Sequence, residues 1–145
     1  MLCRQVLMNG LVMLTICDTH ILLFWADNKV RLSKKAYNAI ENAIAFNELA
    51  CSDISLWEIA MLYSRGRINN QVGISSSNYI QDILTAYNVK VLPITPSIAE
   101  ISQSEQFIHG DPADRIIGAT ALVHRLNLIT ADEKLHAVSE LNCIW

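Results

Sequence analysis

The chain contains no uninterrupted apolar run of the roughly 18 residues that a membrane-spanning helix requires. Its apolar N-terminal segment follows Arg4, but it has no small-residue cleavage site and so does not match a secretory signal peptide. We therefore expect a protein that does not enter a membrane.

Paired CxxC spacing is also absent, which argues against a zinc site. The four cysteines, Cys3, Cys17, Cys51 and Cys143, are widely separated. Cys17 and Cys51 lie within apolar, strand-like runs, as expected for buried free thiols. This use of cysteine predicts a reducing, cytoplasmic location.

Basic residues are not in excess: 11 Lys and Arg stand against 14 Asp and Glu, for a net charge of −3. That balance argues against a broad nucleic-acid-binding surface. Neither an internal repeat nor a linker divides the chain, so we expect one domain over residues 13–145, with residues 1–12 as an N-terminal extension and Met13 as a natural start. A hydrophobic fraction of 52% predicts a compact fold.

Short apolar runs alternate with segments of helical period along the whole chain. The runs that predict strands are residues 11–17, 49–54, 89–94, 127–130 and 142–145. Strands separated by helices pair in parallel through right-handed crossovers. The expected fold is a three-layer α/β/α sandwich with a mostly parallel sheet of about five strands.

Four acidic residues follow strand ends or begin helices in this scheme. Asp18 and Asp132 come directly after predicted strands, whereas Glu58 and Asp114 fall in the first turns of predicted helices. In an open parallel sheet, ligands bind beyond the carboxyl ends of the strands. Carboxylates gathered there suit Mg²⁺ or Mn²⁺, and a cation so held can activate water against a phosphodiester.

Each acid also has a purely structural interpretation. Ser55 and Glu58 have the spacing of a capping box, and Asp111 before Pro112 is a good helix N-cap. Asp114 then occupies a position that favours the helix dipole, while Asp18 and Asp132 suit helix caps. Spacing alone leaves the structural and metal-binding interpretations open.

Four segments together resemble a known family. They are ICDTHILLFW (16–25), SDISLWEIAMLYSRGRI (52–68), HGDPADRIIGATAL (109–122) and NLITADEKL (127–135). In this order the chain resembles the PIN domain family, specifically the VapC-like toxin ribonucleases of type II toxin–antitoxin systems. The resemblance covers residues 13–145 and implies a PIN-like fold.

The resemblance implies that Asp18, Glu58, Asp114 and Asp132 bind Mg²⁺ or Mn²⁺ in an endoribonuclease. Family members of this kind usually form homodimers, and many cut structured RNA such as tRNA or rRNA. A small antitoxin inhibits them with a C-terminal segment over the active site. Its N-terminal domain binds operator DNA, so DNA contact is expected only through the antitoxin. Gly110 departs from the family pattern, which often has a basic residue there.

Other residues near these motifs have supporting roles in this interpretation. Thr19 is expected to bond an acid or a metal-bound water, and His109 is expected to make a structural hydrogen bond. Arg115 suits either a phosphate contact or an ion pair with Asp111. Arg65 and Arg67, together with Arg31, Lys34 and Lys35, are candidate contacts to the RNA backbone, against the alternative of a solvated surface.

Two other functional interpretations of the sequence are possible. A non-catalytic PIN-like interaction module would keep the fold without needing several like-charged acids at one edge. A phospho-acceptor domain built on Asp18 is less favoured, because His20 occupies the position where the dehalogenase-like motif places its second aspartate.

Overall fold

The structure is a computed structural model that describes residues 13–68, 72–108 and 110–145. The predicted N-terminal extension, residues 1–12, and His109 lie outside the described residues.

A five-stranded parallel sheet forms the centre of the described chain. Its strands are β1 (Thr15–Cys17), β2 (Leu49–Ser52), β3 (Lys90–Leu92), β4 (Asn127–Ile129) and β5 (Asn142–Ile144). They lie in the order β3-β2-β1-β4-β5, and every neighbouring pair is parallel. The predicted sheet is confirmed, although β2 ends at Ser52 and β3 at Leu92, earlier than the apolar runs indicated.

Helices connect the strands and cover both faces of the sheet. They are α1 (Thr19–Asp27), α2 (Lys34–Ala45), α3 (Asp53–Ser64), α4 (Ser76–Ala86), α5 (Pro96–Ser102), α6 (Pro112–His124) and α7 (Glu133–His136), with a 3-10 helix at Lys29–Arg31. None of the helices within the described ranges is long and apolar enough to cross a membrane.

The sheet is the middle of three layers, and one hydrophobic cluster on each of its faces packs it against the helices. Side chains of a strand alternate between faces, so Cys17 joins one cluster while its neighbour Ile16 joins the other. The first cluster packs α1 to α4 against the sheet through residues such as Ile59, and the second packs α5 to α7 through residues such as Ile117. The expected three-layer sandwich is therefore confirmed.

Polar caps begin the helices that follow the strands. Asp18 caps α1, Asp111 caps α6 just before Pro112, and Asp132 caps α7, each through a side-chain oxygen that accepts a backbone N–H. The capping roles predicted for these three residues are confirmed.

The start of α3 differs from the prediction. Ser52, not Ser55, is the N-cap, and its hydroxyl accepts a hydrogen bond from the N–H of Ile54. Because β2 ends at Ser52, the helix begins earlier, and Glu58 lies in its second turn rather than its first. The Ser55–Glu58 capping box is therefore wrong as an account of this helix.

Candidate active site

Asp18 is held at the carboxyl end of β1 by bonds to both of its side-chain oxygens. Its backbone N–H donates to the carbonyl of Ile129 at 3.1 Å, which ties the end of β1 to β4. Its Oδ1 accepts the N–H of Ile21 at 2.9 Å, and its Oδ2 accepts a hydrogen bond from Thr130 Oγ1. With 7% of its surface exposed, Asp18 is a fixed and mostly buried carboxyl group.

Thr130 links two of the predicted site acids, and sequence reasoning missed it. Its Oγ1 donates to Asp18 and accepts the backbone N–H of Asp132 at 3.1 Å. Its own backbone is fixed by Ile144, whose carbonyl accepts its N–H at 3.1 Å, and by a 2.7 Å contact between its carbonyl and His136 Nε2. A hydroxyl residue at a strand end, two positions before an acid, was the available sequence signal.

Glu58 is positioned by a chain of two hydroxyl groups. Thr19 Oγ1 lies 2.5 Å from Glu58 Oε1 and 2.9 Å from Ser55 Oγ. Because the Thr19 hydroxyl has one proton, the consistent arrangement is Ser55 donating to Thr19 and Thr19 donating to the carboxylate. All three residues are buried, and the expected hydrogen bond between Thr19 and an acid is present.

Three of the four predicted acids line one cavity of about 400 Å³, here named the acid pocket. Its lining residues are Asp18, His20, Ile21, Phe24, Arg31, Asp114, Ala131, Asp132 and Trp145. Asp114 reaches it from the first turn of α6, and Asp132 from the cap of α7. Glu58 is not part of this lining; it is buried and hydrogen-bonded to Thr19.

Burial dominates the electrostatics of these acids, while hydrogen bonds and the nearby His20 oppose its effect. Burial raises the pKa of Asp18, and the nearby charge of Asp132 adds to the rise, while the bonds from Thr130 and Ile21 oppose it. Burial likewise raises the pKa of Glu58, the bond from Thr19 opposes the rise, and Asp111 and Asp18 add to it. Holding these carboxyl groups ionised in the same region is therefore unfavourable without a compensating cation.

The donor chemistry of the acid pocket fits a hard divalent cation. Carboxylate oxygens are the ligands that Mg²⁺ and Mn²⁺ prefer, and a cation would offset the cost of keeping the buried Asp18 and Glu58 carboxylates charged, which is the main cause of their raised pKa values. Among the residues that the structure describes, however, no three His, Cys, Asp or Glu side chains form a group that could hold a metal ion. The match lies in the type and burial of the donors, without a completed coordination shell.

The arginines predicted to contact phosphate or RNA lie in different places. Arg115 donates from Nε to the carbonyl of Ser102 at 2.7 Å, which joins α6 to the end of α5. Arg67 lines a second cavity, of about 450 Å³, and Arg65 is the exposed C-cap residue of α3 outside that lining.

Comparison with known proteins identifies the fold that carries this site. The family model described as PIN domain matches residues 15–141. The chain belongs to the PIN domain family. This PIN domain is 37% identical over 123 residues to Ribonuclease VapC22 of Mycobacterium tuberculosis, an alignment that covers 84% of the chain and 89% of the relative.

Solved structures agree with the fold of this PIN domain. The crystal structure of VapBC2 from Rickettsia felis, bound to a DNA fragment from its promoter, matches with a TM-score of 0.65 at 17% identity over 90% of this chain and 97% of that chain. A toxin–antitoxin complex from Klebsiella pneumoniae matches with a TM-score of 0.58 at 24% identity over 88% of this chain and 94% of that chain. The resemblance inferred from the four sequence segments is confirmed.

Proposed function

We propose that this PIN domain is a metal-dependent endoribonuclease that acts as the toxin of a VapBC-like toxin–antitoxin pair. The observation that carries the proposal is the acid pocket, where a buried and doubly hydrogen-bonded Asp18 shares one cavity with Asp114 and Asp132. The 37% identical relative is named a ribonuclease, which supports RNA as the substrate.

In this proposal Asp18, Glu58, Asp114 and Asp132 hold Mg²⁺ or Mn²⁺. When bound, such a cation lowers the pKa of a water ligand and offsets the charge that develops on a phosphodiester. The chain's own contribution is to fix the acids: Thr130 orients Asp18 and the backbone of Asp132, and the Ser55–Thr19 hydroxyls orient Glu58. These bonds set the carboxylate directions before a cation or substrate arrives.

The proposal includes the partners expected for such a toxin. These are an RNA substrate such as tRNA or rRNA, a small cognate antitoxin through which any DNA contact is made, and a second copy of the chain in a homodimer. Solved neighbours include a VapBC2 assembly bound to promoter DNA and a toxin–antitoxin complex, which supports an antitoxin partner. The side chain of Trp57 on α3 is 59% exposed and gives an apolar surface suited to contact with a partner protein. We place this activity in the cytoplasm.

Expression in cells, followed by mapping of RNA 5′ ends, tests the proposed function. We expect growth arrest and new RNA ends at specific positions with the wild-type chain, and neither with Asp18→Asn. Asp82→Asn removes an exposed acid on α4 and is the matched control, so it should behave as wild type. RNA ends that are the same with and without Asp18 would contradict the proposal and favour a non-catalytic interaction module.

A further inference from the structure

A second cavity continues from the acid pocket along α1. Its volume is about 450 Å³, in the range of small-ligand sites. His20, Phe24 and Arg31 line both this cavity and the acid pocket, so the two cavities adjoin. The remaining lining residues of the second cavity are Leu23, Asp27, Asn28, Leu62, Arg67 and Ile68. We call it the arginine cavity.

Two guanidinium groups from separate elements give the arginine cavity its charge. Arg31 belongs to the 3-10 helix after α1, and its guanidinium carbon lies 4.6 Å from the ring centroid of Phe24. Arg67 follows α3 through Gly66, whose φ of +65° allows the turn, and its N–H donates to the carbonyl of Leu62 at 3.0 Å. The backbone at each arginine is thus placed by local structure.

The rest of the arginine cavity offers apolar surface and one acceptor. Leu23, Leu62 and Ile68 contribute aliphatic side chains beside the Phe24 ring. Asp27 lies in the same lining, and its Oδ2 accepts a hydrogen bond from Tyr79, which anchors this wall to α4. A ligand that has a flat apolar ring, polar groups at the edge of that ring and an attached anionic group would complement these surfaces.

We propose that the arginine cavity binds the unpaired ribonucleotide next to the phosphodiester that occupies the acid pocket. Arg31, which lines both cavities, contacts the phosphate between them, and Arg67 contacts the following phosphate. The base lies on the Phe24–Arg31 pair, because bases stack on aromatic rings and guanidinium planes. This inference rests on the proposed function and narrows its substrate to single-stranded or looped RNA.

Charge distribution favours RNA over a protein segment as the occupant. With the divalent cation of the proposed function in the acid pocket, the charge of its carboxylates is offset, so a ligand that crosses from there into the arginine cavity can present an anionic group to each. An RNA backbone has a phosphate at every residue, whereas a peptide needs a particular run of acidic side chains. Burial of a base in the cavity also explains how a chain with net charge −3 would bind RNA without a broad basic surface.

Binding of a fluorescent single-stranded oligoribonucleotide tests the inference. Every variant carries Asp114→Asn, so that binding is measured without cleavage, and anisotropy is recorded over a range of salt concentrations. We expect Arg31→Gln and Arg67→Gln each to weaken binding about tenfold. Each should also reduce the slope of log K against log salt by about 0.7, the value for one lost contact to a single strand.

Two comparison variants distinguish RNA binding in the arginine cavity from general electrostatic attraction to the protein surface. Arg125→Gln removes a charge from the C-cap of α6, outside the linings of both cavities, and Lys90→Gln removes one from β3 at the sheet edge. Both should weaken binding by less than about twofold, and a fully paired RNA duplex should bind the parent protein more weakly than the single strand.

Equal losses in Arg125→Gln and Arg67→Gln would overturn the inference, as would unchanged RNA binding in both Arg31→Gln and Arg67→Gln. The second result would leave the cavity to another ligand, such as an acidic protein segment. Cleavage of the same oligoribonucleotide by the wild-type chain is measured in parallel. If cleavage occurs but these variants bind normally, the inference alone fails; if no RNA is cut, the proposed function fails.

Discussion

The hydroxyl of Thr130 donates a hydrogen bond to Oδ2 of Asp18, 112 residues earlier in the chain. The same hydroxyl accepts the backbone N–H of Asp132, so one side chain fixes an acid on β1 and the start of α7 after β4. Thr130 itself is fully buried and is held by β5 through Ile144. The relative position of two site acids is therefore set by a residue that is neither acidic nor exposed.

Removing the Thr130 hydroxyl should lower Mn²⁺ affinity and RNA cleavage while every acid remains in place. Thr130→Val keeps the shape of the side chain but leaves Asp18 Oδ2 and the Asp132 N–H without this partner. We expect a loss of about 10- to 100-fold in Mn²⁺ affinity and in RNA cleavage, as for other residues that orient metal ligands. Isothermal titration with Mn²⁺ and a cleavage assay measure the two effects.

Two further threonine variants control this prediction. Thr130→Ser retains the hydroxyl and should recover most of the activity. Thr120→Val removes a buried hydroxyl in α6 that donates to the carbonyl of Ile116, and it should leave Mn²⁺ affinity unchanged. If Thr130→Val and Thr120→Val bind Mn²⁺ equally well, the orienting role of Thr130 is wrong.

The Asp18 carboxyl should destabilise the metal-free fold at neutral pH. Burial raises its pKa in the folded state, so folding favours the protonated form, and that contribution is lost as pH rises through the folded pKa. Asp18→Asn cannot ionise and should therefore be more stable than wild type at pH 7, by about 1 kcal/mol. Thermal unfolding in EDTA at pH 7 and at pH values near 3.8, the ordinary aspartate pKa, measures the difference.

The direction in which the stability difference between Asp18→Asn and wild type changes with pH shows whether ionisation of Asp18 causes it. The stability advantage of Asp18→Asn should shrink as the pH falls, because wild-type Asp18 then becomes protonated too. An advantage that is the same at both pH values, or a variant that is less stable at pH 7, would contradict the destabilising role of the charge.

The sheet was predictable from sequence because each buried strand is a short apolar run bounded by polar residues. The runs at 127–130 and 142–145 match β4 and β5 closely. Their exact ends were less predictable where a polar cap interrupts the apolar pattern. Ser52 ends β2 and begins α3 within a run that continues to Ile54, so hydrophobicity alone placed the boundary two residues late.

Asp18 and Asp132 could be chosen as candidate site acids because they follow strand ends, but the bonds that support the candidate acids could not be predicted. Thr19 could be chosen from its position next to Asp18, whereas Ser55 was assigned to a helix cap that does not form. Thr130 meets Asp18 only through the pairing of β1 with β4, and that pairing depends on the order of strands in the sheet. The local sequence pattern places a hydroxyl residue two positions before Asp132, but it does not indicate the contact of Thr130 with Asp18.

Gly118 should be intolerant of alanine even though alanine favours helices. A Cβ at this position in α6 would lie 2.5 Å from Phe107 Cε1 and 3.1 Å from Leu135 Cδ2. Both neighbours are buried and closely packed, so they cannot move without cost. We expect Gly118→Ala to lower the free energy of unfolding by about 1–2 kcal/mol in urea denaturation.

Gly110→Ala is the control for this substitution, because a Cβ there meets no atom within 4 Å. It should change the free energy of unfolding by less than about 0.5 kcal/mol. A Gly118→Ala protein that is as stable as Gly110→Ala would show that α6 and Phe107 separate more easily than their packing indicates.

Cys17 and Cys51 should be unreactive in the folded protein. Burial raises the pKa of both thiols, that of Cys51 to about 12, and almost none of their surface is exposed. Since the thiolate is the reactive form, Ellman's reagent at pH 8 should not react with them in a Cys3→Ser, Cys143→Ser variant. Two thiols should react after addition of guanidinium chloride, and rapid reaction before unfolding would contradict their burial.

Cleavage of RNA by purified Asp114→Asn with Mg²⁺ or Mn²⁺ tests the central claim most directly. Asp114 lines the acid pocket with Asp18 and Asp132, and its replacement by asparagine preserves side-chain size. The account predicts a folded variant, by circular dichroism and thermal unfolding, that does not cleave the RNA cut by wild type. Cleavage by Asp114→Asn at the wild-type rate would contradict the assignment of this pocket as the metal-dependent active site.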